Sequence, residues 1–545
     1  MPVTPTLRHP NGDRWKMDFA HARTFGAALD RGAELWAERE ALVDSGERVT
    51  YAQLRERSNR IATFLQNAGI SKGHTALLRL GSTAAFFYAF FGMMRVGALP
   101  LMLRPGNGVE ETSKLATFIQ PTLLVTLDDH PGEVAREFVA AVTDRCPSIK
   151  LALTESDLAA VWQDERWDTA EPFASEEDDT WNLSKQRPER DSEGASISYF
   201  ILSGGTTDMP KVIPLKPGVT LFSAACYADL GLLSPDDRCL VVMPPVVNFS
   251  MCCDSIATFV SGGTVVICPE ASPAIILRLM AKERITHTSL VPAVARLCIA
   301  YRQVYDGDDI SSLRYVYEGG ARVTADLIHD TEKWLGGRVM NAYGMSEGFY
   351  GSTHIDENDD VLCAGLCQGC LPGYELRVVN AAGKELPPGE LGEFQYRGSI
   401  TLGGYYNNPD ANEEAFTKDG YYHTGDLAYL NEEGYVCVYG RTKDQINRGG
   451  MSIMPEIIEA DVRRHPLVSD CVALGAPDEL LGQRIACFVI ATDALDRLAL
   501  LDDLRAMGVS EHHIPDDVIF VESYPQTPNQ KVDRRALMAR LEHKD

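Results

Sequence analysis

The stretch ISYFILSGGTTDMPK, Ile197 to Lys211, is an apolar run that empties into glycines, hydroxyls and a lysine. The β-branched and aromatic residues from Ile197 to Ser203 read as a strand. The segment that follows has the composition of an anion cradle. Gly204 and Gly205 let backbone N–H groups approach a phosphate, Thr206 and Thr207 donate through their hydroxyls, and Lys211 brings a positive charge. It is not a Walker loop, because the GxxxxGK[ST] spacing is absent. Taken alone, the stretch also reads as a Gly/Thr turn joining two elements.

On both sides of this loop, short β-branched runs alternate with helical segments. TLLVTL (Thr122 to Leu127), CLVVMP (Cys239 to Pro244), GTVVIC (Gly263 to Cys268) and RYVYEGG (Arg314 to Gly320) read as strands. Tyr51 to Ala68 and Ser272 to Glu283 read as helices. The alternation predicts an α/β fold with parallel-rich sheets and helices. The most apolar window, TAAFFYAFFGMM from Thr83 to Met94, is twelve residues long and stopped by Arg95. It is too short to span a bilayer, which predicts a buried helix and no membrane association. EEDDTWNLSKQRPERDSE, Glu176 to Glu193, reads as an exposed linker. Past Gly440 the chain packs helix and strand signals into its last hundred or so residues. This predicts a large N-terminal domain, 1–442, built from several subdomains, and a small α+β C-terminal domain, 443–545.

The chain has 545 residues, enough at about 150 residues per domain for three to four folding units. Its 77 acidic against 51 basic residues give a net charge of −26, which argues against nucleic acid because phosphate binding needs a clustered basic face. The N-terminus, MPVTPTLRHPNGDRW, has no basic stretch followed by an apolar run and does not read as a signal peptide. With that start, the 13 cysteines read as reduced thiols of a cytoplasmic protein. Cys363, Cys367 and Cys370 have metal-like spacing, but no fourth Cys or His lies close by. A structural zinc site wants four ligands, so free buried thiols are the preferred reading.

Four further segments follow the loop in order: YGMSE (Tyr343 to Glu347), HTGD (His423 to Asp426), GRTKDQINRGG (Gly440 to Gly450) and PQTPNQK (Pro525 to Lys531). With SGGTT, this series resembles the adenylate-forming superfamily of acyl-CoA synthetases, nonribosomal peptide adenylation domains and firefly luciferase. The resemblance runs from about Phe25 to the C-terminus. It implies an ATP- and Mg²⁺-dependent ligase that joins a carboxylic acid to AMP, releases pyrophosphate, and passes the acyl group to a thiol. Two anions must meet in the first step, so cations and donors have to offset the charge that builds up.

The resemblance assigns roles residue by residue. Ser203, Gly204, Gly205, Thr206, Thr207 and Lys211 hold phosphates. Gly319, Gly320 and Ala321 run along the adenine, with Tyr343 stacked on it and Gly344 and Ser346 beside it. Glu347 ligates Mg²⁺, a hard cation that prefers oxygen. Asp426 and Arg441 fix the ribose. Lys531 is catalytic and bridges the acid carboxylate and the α-phosphate. Lys443 is the hinge about which the small mobile domain turns between adenylation and thiol transfer, the latter using the Gly449–Gly450 loop. Gly392 and Glu393 fit the family and are read as turn structure, while His423 is given no chemistry.

Within the superfamily the chain is most similar to stand-alone aryl-acid ligases of siderophore and related pathways, which activate salicylate or 2,3-dihydroxybenzoate. The segment PPVVNFSMCC, Pro244 to Cys253, carries this. Asn248 takes the place of the amide that meets the acid's ortho hydroxyl, with Phe249, Cys253, Gly319 and Tyr350 around the ring. Cys253 stands where salicylate enzymes carry cysteine and dihydroxybenzoate enzymes serine, so an acid with a single ortho hydroxyl or amino group is expected. The acceptor implied is the phosphopantetheine thiol of an aryl carrier protein. Free CoA is the alternative, and a catalytically weakened ligand-binding relative is an alternative of another class. Four positions depart from the pattern: Val247 replaces a histidine, Tyr350 a small aliphatic residue, and Asp208 and Gln530 glycines.

Overall fold

The computed structural model describes residues 24–129, 132–168, 197–203, 211–305, 307–321, 323–356, 369–370, 374–398, 400–441, 444–448, 451–478, 480–527 and 532–542. They form two compact units. The larger holds Thr4–Glu375 and Arg397–Phe416, and the smaller holds Leu376–Tyr396 and Thr417–Asp545.

Local signals set the helices of the larger unit. Tyr51–Asn67 opens with a capping box in which Thr50 and Gln53 satisfy each other's backbone. Its buried Leu54, Ser58, Ile61, Ala62 and Leu65 recur at helical spacing. That face packs on the aromatic window, which forms the helix Ala84–Val96 with Phe86, Phe87, Tyr88 and Phe90 buried. Gly92 permits the contact, since a Cβ there would lie 2.7 Å from Ile61 Cγ2. Gly97 ends the helix in the left-handed region at φ 69°.

Two sheets lie at the centre of this unit. The six-stranded sheet runs Leu151–Thr154, Leu123–Thr126, Thr75–Arg79, Leu99–Leu103, Tyr199–Leu202, Val212–Leu215. All neighbours are parallel except the last pair. The nine-stranded sheet has a parallel centre in the order Arg338–Met345, Tyr315–Gly319, His287–Leu290, Arg238–Val241, Thr264–Ile267, Glu40–Asp44. Antiparallel strands close both edges, Phe349–Ser352 with Gly369–Cys370 on one side and Glu47–Thr50 on the other. The parallel strands are near-continuous apolar runs because both faces are covered. Leu240, Val266 and Val316, with Ile276, Leu277 and Ala295 from covering helices, form one core. Leu77, Leu101, Leu124 and Phe200 centre the other.

The smaller unit contains most of a four-stranded sheet, ordered Tyr374–Val379, Gly392–Gly398, Tyr422–Leu430, Val436–Arg441. Gly392 and Glu393 therefore lie in a strand, not in a turn, and Gly392 is needed there because a Cβ would meet the Val379 carbonyl oxygen. The rest is a five-stranded sheet with the helices Pro455–Arg463, Arg497–Ala506 and Arg534–Glu542. Its core includes Ile446, Ile458, Cys471, Ile485, Val489, Leu500 and Leu504.

The expected linker at Glu176 to Glu193 lies outside the described residues, as do Cys363 and Cys367. Nine described cysteines are free and buried, whereas Cys437 is disulfide-bonded, a departure from the all-thiol expectation. No helix among the described residues is long and apolar enough to cross a membrane.

Candidate active site

Three candidate segments lie just past the carboxyl ends of parallel strands in one sheet. Asn248 and Phe249 follow Arg238–Val241, Gly320 and Ala321 follow Tyr315–Gly319, and Ser346 and Glu347 follow Arg338–Met345. The carboxyl edge of a parallel sheet is where open α/β folds bind ligands. Gly319 pairs with Ala342, and a Cβ at Gly319 would lie 2.5 Å from the Ala342 oxygen. Gly320 has φ 80°, and it and Ala321 are exposed. Tyr343 packs against Phe349 with ring centroids 5.4 Å apart.

The turn after Tyr343 depends on glycine. Gly348 has φ 105°, and a Cβ on it would collide with the Ile400 carbonyl oxygen. Glu347 is thereby held on the near side of the turn, its backbone oxygen accepting from Leu402 N at 2.8 Å. Its carboxylate Oε1 accepts from the Tyr405 hydroxyl at 3.1 Å. The ring of Tyr405 also lies under Lys211, whose Nζ is 4.8 Å from the ring centroid. One tyrosine thus ties the candidate phosphate lysine to the candidate metal carboxylate, although the two are 136 residues apart in sequence. The sequence reading passed over Tyr405. Its only signal was an aromatic residue after paired glycines in LGGYYNN.

The candidate phosphate loop joins two antiparallel strands. Leu202 pairs with Val212, and Ser203 N donates to the Lys211 oxygen at 2.9 Å. Ser203 Oγ is buried with no partner among the described residues. Gly204, Gly205, Thr206, Thr207 and Asp208 lie outside the described residues.

Among the candidate acid-pocket residues, Asn248, Cys253 and Tyr350 come together although they span about a hundred residues. Asn248 is 5% exposed, Cys253 1% and Tyr350 4%. Asn248 Nδ2 donates to the Tyr350 hydroxyl at 2.7 Å, so the amide expected to face the acid already has a phenol as partner. Asn248 Oδ1 accepts from Cys252 Sγ at 3.7 Å, so both ends of the amide are engaged. Tyr350 N donates to the Tyr374 hydroxyl at 3.2 Å, which fixes the backbone beneath the ring. Burial raises the Tyr350 phenol and the Cys253 thiol well above their ordinary values, so both stay protonated at neutral pH. Phe249 is half-buried against the neighbouring core.

Two carboxyl groups that the sequence reading passed over are fully buried nearby in the chain. Asp254 follows Cys253 and accepts from Ser289 Oγ at 2.5 Å. Glu318 precedes Gly319 and accepts from Thr331 Oγ1 at 2.5 Å. Burial pushes each up to about 7. Nothing in the local sequence marks them, because strand and helix burial is decided by neighbours far along the chain.

In the smaller unit, Asp426 and Arg441 are cross-strand partners on Tyr422–Leu430 and Val436–Arg441. Arg441 Nε lies 2.7 Å from Asp426 Oδ1, and Asp426 is 4% exposed. Gly425 at φ 67° and the Thr424 Oγ1 that accepts from Asp426 N shape the turn beside it. His423 Nδ1 sits 3.1 Å from Glu393 and 3.0 Å from Gln395 Nε2, a structural contact within the sheet. Lys443, Gly449, Gly450 and Lys531 lie outside the described residues.

Glycine-dependent turns at the carboxyl edge of the nine-stranded sheet, with Tyr405 joining a carboxylate there to a lysine from the hairpin of the six-stranded sheet, form a candidate ligand site of an α/β protein. Comparison with known proteins agrees. Residues 29–406 match the model of the AMP-binding enzyme family, and residues 457–531 match that of the AMP-binding enzyme C-terminal domain. The chain belongs to the AMP-binding enzyme family, in the adenylate-forming superfamily, and is a ligase. It is 34% identical to "Pyochelin synthase PchD" of Pseudomonas aeruginosa (strain UCBPP-PA14), over 95% of this chain and 92% of the relative. It is 32% identical to "Salicyl-AMP ligase / salicyl-S-ArCP synthetase" of Mycobacterium tuberculosis, over 95% and 91%. Among solved structures it is similar to apo MbtA of Mycobacterium smegmatis, with a TM-score of 0.68, 30% identity and 98% of both chains covered.

Proposed function

We propose that this enzyme activates an aryl carboxylic acid with one ortho hydroxyl or amino group and loads it onto the phosphopantetheine thiol of a carrier protein. An oxygen of the acid attacks the α-phosphorus of ATP, the bond to the β-phosphate oxygen breaks, and pyrophosphate leaves. The thiol sulfur then attacks the acyl carbon, and AMP leaves. One observation carries the reading. One turn holds Glu347, linked through Tyr405 to Lys211, and the strand that leaves it holds, three residues on, Tyr350, bonded to Asn248. This supports a reaction centre whose phosphate side and acid side share one short segment.

In this scheme Ser203, Thr206, Thr207 and Lys211 hold phosphates, and Gly319, Gly320, Ala321, Tyr343, Gly344 and Ser346 hold the adenosine. The Asp426–Arg441 pair serves the ribose, because a buried carboxylate held by a guanidinium is an ordered acceptor for hydroxyls. Glu347 offers Mg²⁺ a hard carboxylate oxygen oriented by Tyr405. When bound, Mg²⁺ offsets charge on the phosphates. Lys531, on a domain 443–545 turning at Lys443, bridges the two reacting anions. A carrier as acceptor is supported by the similarity to the salicyl-S-ArCP synthetase, and an acid with one ring hydroxyl is supported by Cys253, whose buried thiol is a poor partner for a second. The test is mass spectrometry of salicylate, ATP and Mg²⁺ with the enzyme, then with a holo aryl carrier protein or CoA. Salicyl-AMP followed by carrier thioester is expected. No acyl-AMP refutes the proposal, and thioester on CoA alone reassigns the acceptor.

A further inference from the structure

The acid end contains a buried amide held between a phenol and a thiol. Asn248 Nδ2 donates to Tyr350 Oη at 2.7 Å, and Cys252 Sγ donates to Asn248 Oδ1 at 3.7 Å. The Tyr350 oxygen accepts from the amide, and no described residue accepts the proton of the phenol. A buried phenol with an unplaced proton is ready to donate to an acceptor brought beside it. The pair is also rigid. Tyr350 is held by its strand pairing to Gly344 and by the Tyr374 contact, and both Asn248 and Tyr350 are almost wholly buried.

We propose that Tyr350, positioned by Asn248, is the group that reads the acid's ortho substituent, through a hydrogen bond from its hydroxyl to an acceptor on the ligand. The inference rests on the aryl-acid function proposed above and names the polar contact within it. It predicts a substrate class. Any aryl acid with an acceptor ortho to the carboxylate meets the requirement, whether a hydroxyl or amino group or a ring nitrogen as in pyridine-2-carboxylate. A ring nitrogen is the cleanest partner, since it has no proton of its own to place. Benzoate offers nothing there, and the proton of the phenol would stay without an acceptor. Asn248 acts at one remove. Its amide fixes the oxygen of the phenol and so leaves the proton as the only part free to point at the ligand.

Acid-dependent exchange of pyrophosphate into ATP tests this with salicylate, pyridine-2-carboxylate and benzoate, on the full-length enzyme and on Tyr350→Phe and Asn248→Ala. Tyr350→Phe removes one oxygen and keeps the ring, and a matched thermal melt checks that the fold is retained. The wild type is expected to favour both ortho-acceptor acids over benzoate. In Tyr350→Phe that preference in kcat/KM should shrink roughly ten- to a hundred-fold for both acids, the effect of losing one buried hydrogen bond. In Asn248→Ala it should shrink in KM more than in kcat, because the phenol remains but is no longer aimed. If Asn248 instead reads the acid directly, Tyr350→Phe frees the amide, and the preference for salicylate holds or grows. That result overturns the proposal. So does a wild type active on aryl acids but indifferent to the ortho group, which leaves the aryl-acid function standing. A wild type inactive on all three acids overturns both.

Discussion

Glu318→Gln should make the protein more stable at alkaline pH and leave it almost unchanged in acid. Glu318 is 0% exposed on the strand that ends at Gly319, and burial pushes its carboxyl from its ordinary 4.5 up to about 7. Oε1 accepts from Thr331, but Oε2 has no hydrogen-bond partner among the described residues. A group whose folded pKa is raised stabilises the fold fully below its unfolded pKa, and that contribution is lost as pH rises through the folded value. The window therefore runs from about 4.5 to about 7, and the full cost above it is about 3 kcal/mol at 1.36 kcal/mol per pH unit. Glutamine keeps an oxygen for Thr331, places an amide where the second oxygen stood, and has no charge to bury. Urea unfolding followed by tryptophan fluorescence at pH 5, 6, 7 and 8 gives the difference between variant and wild type. Asp254, also raised to about 7, is present in both and cancels. The difference should grow by up to about 3 kcal/mol between pH 5 and pH 8. A difference that is flat with pH refutes the assignment of a neutral, buried Glu318.

Other outcomes follow from the proposed site. Lys531→Ala should abolish acyl-AMP formation while thioester transfer from supplied acyl-AMP survives; equal loss of both half-reactions removes Lys531 from its assigned role. Asp208→Gly should lower the KM for ATP, because a carboxylate in a phosphate loop repels the triphosphate; an unchanged or higher KM places that charge elsewhere. Cys253→Ser should narrow the preference for salicylate over 2,3-dihydroxybenzoate, by up to one or two orders of magnitude in kcat/KM, since a hydroxyl pairs with the second ring hydroxyl and a thiol does not. A preference untouched by the change would mean that Cys253 does not face the ring.

Much of the larger unit was legible because its information is local. Thr122 to Leu127, Gly263 to Cys268 and Arg314 to Gly320 each contain an observed strand, trimmed by a residue or two, because β-branched runs buried on both faces have few alternatives. The aromatic window is a buried helix, as its length required. What escaped the sequence depends on contacts between distant segments. The bond from Asn248 to Tyr350 crosses 102 residues, so the sequence could show that Tyr350 departs from the family pattern but not which side chain it would meet. Tyr405 joins Lys211 to Glu347 only because its strand-free segment folds back beside both. Glu318 and Asp254 carry no local mark in their runs, and burial by the surrounding layers raises each to about 7. Gly392 resembled a turn glycine, yet the close approach of the Val379 carbonyl explains it.

The central claim is reversible, acid-dependent adenylation. Its most direct measurement is the incorporation of labelled pyrophosphate into ATP by the full-length enzyme with Mg²⁺ and a panel of aryl acids. Exchange that requires the acid, is strongest with a single ortho hydroxyl or amino group, and disappears in Lys531→Ala is the result predicted. Nucleotide binding without exchange for any carboxylic acid would contradict it and leave a binding protein in place of a ligase.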